Sequence, residues 1–265
     1  MLIKKLNDSS LKHLFSKLEL IPNGIKNYAI LKEISRRSHS ALLNLLSVSK
    51  GSTEILMNTQ LMLEKIPKEP YEHLYLKYKD VDPYPGYSKY LEAGVHIARA
   101  IRNAKKLDLC KNESGTLDIL DIGSGAGYFP FVCKHYNHQA MAIDLPDNPM
   151  YNEMKNLLGV ECLHYAILPF QVFPPLEKKF DLITGFQILF DRPRDQSPWG
   201  SKEWTFFLKD IRKILKPEAR VFLELNTYKP EEEIIFKENI QFLKSIGAHI
   251  VGHEVLIENK TLMFE

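Results

Sequence analysis

Three glycines at alternate positions, Gly123, Gly125 and Gly127, follow a short apolar run in LDILDIGSGAGYF, residues 117–129. Glycine lets the backbone turn with φ > 0 and leaves no Cβ between main chain and ligand. An apolar strand that breaks into glycines and then a helix outlines a nucleotide-cofactor site, with main-chain N–H groups at the helix start facing the ligand. Two carboxylates flank the loop. Asp121 stands two residues before the first glycine, where it can accept from a cationic amino group or brace the loop. Asp144 closes the next apolar run, QAMAID, 21 residues past Gly123, and is suited to a ribose diol. Asp144 alone fits nicotinamide cofactors as well, because their sites use an acid there. The spacing G-x-G-x-G points elsewhere, since Tyr128 occupies the place where G-x-G-x-x-G/A needs a small residue.

Two further stretches carry polar groups in chemically useful places. RVFLELN sets Glu224 and Asn226 in an otherwise apolar run. A carboxylate inside a central strand is costly unless it is paired or opens into a cleft, so Glu224 reads as a base, an acceptor-orienting group, or half of a salt bridge beneath a site. The segment QILFDRPRDQSPWG, residues 187–200, offers Gln187, Asp191, Arg192, Arg194 and Trp199 for polar or stacking contacts. The nine histidines show no ligand spacing, and no metal site is expected. Cys110, Cys133 and Cys162 are odd in number and far apart, without a C-x-x-C pair. Neither a disulfide framework nor a zinc site follows, and a reducing cytoplasmic setting is expected.

The elements that must position these groups read as follows. Residues 1–66 show helical spacing only, with breaks at residues 22–24 and at Pro67. The next stretch crowds Tyr71, Tyr75, Tyr78, Tyr84, Tyr87 and Tyr90 among prolines, which reads as a stiff connector or a cleft lining. Ser88 caps a helix that ends near Lys105 and Lys106. From residue 117 the pattern alternates: strands at 117–122, 139–144, 160–166, 180–186 and 220–226, separated by helices. A helix from Ser201 is expected to stop at Lys216-Pro217, and a hairpin to close the chain with its turn at Glu258-Asn259. These β-α units predict an α/β fold: a Rossmann-like, doubly wound, mostly parallel seven-stranded sheet with a C-terminal antiparallel hairpin, plus an N-terminal helical appendage. Ligands of such sheets bind beyond the carboxyl ends of the strands, at the switch point.

The motif residues together resemble the class I S-adenosylmethionine-dependent methyltransferases. Their first motif, acid-x-Gly-x-Gly-x-Gly, stands intact as Asp121-Ile122-Gly123-Ser124-Gly125-Ala126-Gly127. Asp144 matches the acid after their second strand, and FDLITGFQILF and LKPEARVFLELN are similar to the regions around and after their fourth strand. The resemblance covers about residues 88–265. It departs at Pro217-Glu218-Ala219, where Pro-Gly-Gly is usual, and around Ala166-Ile167, where an acid near the adenine is often found. It implies S-adenosylmethionine as cofactor, with S-adenosylhomocysteine as product, held by Asp121, Gly123, Ser124, Gly125, Gly127, Asp144, Leu145 and Tyr90. The catalytic set it leaves to this chain is Glu224, Asn226, Gln187 and Asp191. The family's Asn/Asp-Pro-Pro-Tyr motif would fall at Phe186-Gln187-Ile188-Leu189 and is missing. That weighs against base or amide N-methylation and toward a hydroxyl of a small molecule, and PWGSKEWTFFLKDI is similar to a little-characterised bacterial subset linked with small molecules or surface glycans.

Bulk properties bound the partners. Net charge is +2, too small to argue for nucleic acid. Residues 1–80 hold 13 Lys/Arg against 8 Asp/Glu, which reads as a solvated helical face. No window approaches 18 apolar residues, so no membrane span is expected. The expected organisation is a helical lid over residues 1–87, offering a homodimer surface, and a methyltransferase domain over residues 88–265. Two rivals stand beside this reading: an NAD(P)-dependent oxidoreductase, and a catalytically degenerate cofactor-binding scaffold.

Overall fold

A computed structural model describes residues 51–81, 88–111, 115–192, 197–226 and 232–262. The chain divides after Leu61, earlier than the expected boundary at residue 87. Most of helix α1 (Gly51–Leu63) falls in the first unit, and Met62–Glu265 forms the second. The helices expected before residue 51, with the lid and dimer surface assigned to them, lie outside the described residues.

Seven strands form one sheet: β1 (Asp118–Ile122), β2 (Gln139–Asp144), β3 (Cys162–His164), β4 (Phe180–Ile188), β5 (Leu215–Leu225), β6 (His249–Val251) and β7 (Glu254–Glu258). Their order is β3-β2-β1-β4-β5-β7-β6. The pairs joining β3, β2, β1, β4 and β5 are parallel, while β7 runs antiparallel to both β5 and β6. The expected sheet is therefore present. The chain winds outward from β1 to β3, then returns to β4 on the other side of β1, which puts the topological switch between β1 and β4.

The connecting helices are α2 (Lys68–Tyr78), α3 (Ala93–Lys106), α4 (Tyr128–His135), α5 (Pro149–Leu157), α6 (Ser201–Ile211) and α7 (Glu233–Ser245). On one side a continuous apolar core joins Leu120, Ile122, Ile183 and Val221 to Trp204 and Leu208 of α6 and Leu243 of α7. Side chains alternate along a strand, so Ile119 and Asp121 point to the opposite face. There α3 buries Ile97, Ile101 and Ala104, and α4 buries Val132 and Cys133. Asp121 thus sits beneath α3 and α4, inside the protein.

Three local expectations are corrected. The tyrosine- and proline-rich stretch is not merely a connector, because Lys68–Tyr78 is helical. Pro70 is its third residue, within the first turn, where the N–H that proline lacks has no intrahelical partner anyway. Its last turn is tied to α5: Lys77 Nζ and Tyr78 Oη both donate to Glu153 Oε1 at 2.7 Å. Lys216-Pro217 does not end a helix. A 3-10 turn at Arg212–Ile214 does so, and β5 already runs through Pro217. Register passes from Phe180↔Leu215 to Leu182↔Arg220 there, and a proline fits such an irregularity because no ladder donor is required. The hairpin turn falls at Gly252 and His253, between β6 and β7, rather than at Glu258-Asn259.

Candidate functional site

Beyond the carboxyl ends of β1, β2 and β4 lies an open cavity of about 480 Å³, within the usual size of small-molecule sites. One wall is the glycine loop. Gly123 N–H donates to the Ile143 carbonyl at 2.7 Å, which ties the loop across the end of β2. Gly123, Gly125 and Gly127 all have positive φ, at 68°, 56° and 81°, a region that L side chains rarely adopt. The Ser124 hydroxyl is buried and has no protein partner, and Ser124 lines the cavity. An orphaned buried hydroxyl beside an open cavity suits a ligand's polar group.

The two acids stand on either side of this loop. Asp121 is 2% exposed, and its Oδ1 accepts from the Thr184 hydroxyl at 2.7 Å. Burial pushes its carboxyl up to about 7, against the lowering effect of Thr184 and with a further push from Asp144. Asp144 closes β2. Its Oδ1 accepts from Leu145 N–H at 2.9 Å, and its Oδ2 lies 3.3 Å from Lys155 Nζ. Burial raises the Asp144 carboxyl above its ordinary value, and the Lys155 charge opposes that rise.

The facing wall is polar and comes from other elements. His96, Arg99 and Asn103 of α3 line it at positions i, i+3 and i+7, on one helix face. Gln187 and Asn226 complete it from β4 and from the end of β5. Register passes from Phe186↔Glu224 to Ile188↔Leu225, so Gln187 is the extra residue of a bulge, with φ of 52°. Bulges re-aim side chains beside sites, and here the Gln187 Oε1 accepts from Arg99 Nη1 at 3.2 Å. Glu224 stands one layer back and pairs with Arg99 Nη2 at 3.4 Å. The His96 ring lies 4.7 Å from that of Tyr90 and 5.3 Å from that of Tyr128, stacked on both. His96 Nε2 is 3.1 Å from the Lys89 carbonyl. A carbonyl only accepts, so Nε2 carries the proton and Nδ1 the lone pair. Burial lowers the imidazole pKa to about 4 despite that hydrogen bond, which keeps the ring neutral.

Of the residues singled out in the sequence, Asp121, Gly123, Ser124, Gly125, Asp144, Leu145, Tyr90, Gln187 and Asn226 all line this cavity. Gly127 and Glu224 do not line it: Gly127 packs toward Lys155 and Val160, and Glu224 pairs with Arg99. Asp191 is a correction: it is fully buried, with its carboxylate 4.0 Å from Arg192 Nε and its carbonyl accepting from Trp199 N–H at 2.7 Å. The loop turns inward because Phe190 and Trp199 join Trp204 and Phe207 in an aromatic cluster. Trp199 is 1% exposed and therefore packs rather than stacks on a ligand. The Arg192 side chain, 8% exposed, lies 3.4 Å from Glu232, and Arg194 lies outside the described residues. Of the tyrosines, Tyr71 donates to the Leu91 carbonyl and Tyr90 lines the cavity, whereas Tyr84 and Tyr87 lie outside the described residues. Sequence reasoning missed Thr184, Lys155, His96 and Arg99. The last two carried a signal, a polar i, i+3, i+7 stripe beside the helix's apolar face; Thr184 and Lys155 carried none.

Among the described residues, no group of three or more His, Cys, Asp or Glu side chains is placed to hold a metal ion. No helix among them is long and apolar enough to cross a membrane.

No protein-family profile and no curated protein matches the chain. Solved structures do. The chain is similar to the S-adenosylmethionine-bound CalS10 from Micromonospora echinaspora, an amino pentose methyltransferase involved in calicheamicin biosynthesis. Identity is 19%, over 51% of this chain and 52% of that one, with a TM-score of 0.38. It is similar to the mitomycin 7-O-methyltransferase MmcR at 16% identity, over 69% of this chain and 59% of that one, with a TM-score of 0.40. A third likeness is to a TehB-like SAM-dependent methyltransferase from Corynebacterium glutamicum, at 16% identity, over 61% and 93% of the two chains, with a TM-score of 0.40. The matched region thus spans about half of CalS10 and about three-fifths of MmcR.

Proposed function

We propose that this chain is a class I methyltransferase that carries a methyl group from S-adenosylmethionine to a hydroxyl of a polar small molecule. The observation that carries the reading is the meeting of the glycine loop and Asp144 at one cavity, with a separate polar wall facing them. The residues present suit that cofactor. Asp144 stands where a ribose diol needs an acceptor, and Gly123 and Gly125 allow the close approach of a methionine chain. Ser124 brings an unpartnered hydroxyl. Ala166, Ile167 and Leu168 bring apolar surface for a flat base. A cationic amino group near Asp121 favours the ionised carboxylate and draws its pKa back down.

S-adenosylmethionine, when bound, supplies a methyl group on a positively charged sulfur that leaves in an in-line displacement. What the chain contributes is positioning. Arg99, held by Glu224 and Gln187, presents guanidinium N–H groups to an acceptor's oxygens. Gln187 and Asn226 add neutral donors and acceptors. A hydroxyl acceptor sheds its proton to water as the new C–O bond forms; His96, whose lowered pKa makes it a weak base, offers its Nδ1 lone pair as a hydrogen-bond acceptor that orients the hydroxyl. Glu224, paired to Arg99, orients that residue instead of acting as the base.

The test is incubation with methyl-labelled S-adenosylmethionine and a panel of sugars and hydroxylated small molecules. The expected result is label transfer to one of them, lost in Asp144→Ala. Cofactor binding with no transfer to any member of a broad panel would make the chain a cofactor-holding scaffold instead.

A further inference from the structure

Lys155 is 1% exposed, an extreme position for a lysine. It projects from α5, and its stem runs beneath the glycine loop, where a Cβ on Gly127 would meet Lys155 Cγ at 2.8 Å. The ammonium ends 3.3 Å from Asp144 Oδ2, while Leu145 N–H takes Oδ1. The carboxylate is thus held on both oxygens, and the ordinary cost of burying an amine is met by this carboxylate together with the Cys162 side chain.

We propose that Lys155 is a positioning residue for the cofactor ribose: it holds Asp144 ionised and fixed in the orientation that accepts from two vicinal hydroxyls. The inference rests on the cofactor reading above. A carboxylic acid in place of the carboxylate loses one acceptor site and gains a donor, so it grips a diol poorly. Burial by itself favours the protonated acid, and Lys155 opposes that. The other titratable groups facing Asp144 are Asp121 from β1, which disfavours a second charge nearby, and Cys162 from β3, a thiol pushed up by burial. His164 is its register partner on β3. Lys155 is the cation among them.

The sign follows. Without Lys155 the Asp144 pKa rises further, so the loss of ligand affinity on acidification sets in at a higher pH than in wild type. The test measures S-adenosylhomocysteine affinity calorimetrically from about pH 8.5 down to about pH 6 in wild type, Lys155→Met, Asp144→Asn and the double variant. A rise of one pKa unit makes Lys155→Met lose up to about tenfold more affinity than wild type, the full factor being reached below both pKa values, and the titration is carried to lower pH until the two profiles run parallel. Lys155→Met adds no pH dependence in the Asp144→Asn background. Thermal melting checks folding, and Lys155→Gln, which keeps a donor without the charge, is expected to repeat the pH effect. Equal pH profiles for wild type and Lys155→Met, or a pH-independent loss at every pH, overturn the positioning role while leaving the cofactor reading intact. No binding by wild type overturns both.

Discussion

Gly123 and Gly127 share a backbone conformation but not a neighbourhood, and alanine at each should fail differently. Both have positive φ, 68° and 81°, so alanine costs about 1–2 kcal/mol at either place from backbone sterics alone. Space separates them. A Cβ on Gly123 meets nothing within 4 Å, whereas a Cβ on Gly127 lies 2.8 Å from Lys155 Cγ and 3.5 Å from Val160. Lys155 Cγ is near the root of a fully buried side chain whose tip is held by Asp144, so it has little room to give. Overpacking of this kind adds about 1–3 kcal/mol. Gly127→Ala should therefore lose about 2–5 kcal/mol in urea unfolding, and Gly123→Ala only the backbone share. The order reverses for ligand: Gly123 lines the cavity, so its alanine variant should weaken S-adenosylhomocysteine binding more than its stability loss explains. Equal stability losses, or a Gly123 variant with unchanged affinity, would refute the placement of Lys155 beneath the loop or of the ligand above it.

Other outcomes follow from the same geometry. Asp144→Ala removes a charged acceptor and should weaken S-adenosylhomocysteine about 10- to 100-fold by calorimetry with the circular-dichroism spectrum unchanged; unchanged affinity removes Asp144 from the site. Asp121 titrates near 7 when folded, against an ordinary value of 3.8. The folded state therefore holds the extra proton between those values, and stability from this group falls as pH rises through that window, by at most about 1.4 kcal/mol per pH unit. Asp121→Asn should flatten that slope in denaturant melts without ligand; an unchanged slope contradicts it. Trp199→Ala should cost about 3–5 kcal/mol in unfolding free energy, whereas a purely ligand-stacking tryptophan would leave the melt unmoved. Once an acceptor is found, Gln187→Ala and Asn226→Ala should slow transfer at least about tenfold with cofactor affinity within about twofold.

The parts of the fold written in local pattern were legible. β1, β2 and β4 announce themselves as apolar runs, and α5 by Asn148, whose side chain accepts from Tyr151 N–H at 3.1 Å, followed by Pro149. The glycine loop was legible because glycine spacing is itself the physical requirement. What the sequence hid depends on the fold. Pro70 and Pro217 look like breaks, yet one sits in a helix's first turn and the other in a strand irregularity, places where no donor is needed. Asp191 and Trp199 resemble a polar loop's contents until Phe190 and Trp204 are seen to draw the loop inward. Gln187 reaches the cavity only because a bulge turns it there. Lys155 and Thr184 are legible from nothing short of the packing, because their partners Asp144 and Asp121 lie 11 and 63 residues away in sequence.

The central claim is that this cavity takes S-adenosylmethionine rather than a nicotinamide. Calorimetric titration of the full chain with S-adenosylhomocysteine and, separately, with NADH tests it most directly. The account predicts saturable one-to-one binding of S-adenosylhomocysteine, lost in Asp144→Ala, and no heat from NADH. Tight binding of NADH with none of S-adenosylhomocysteine would contradict it.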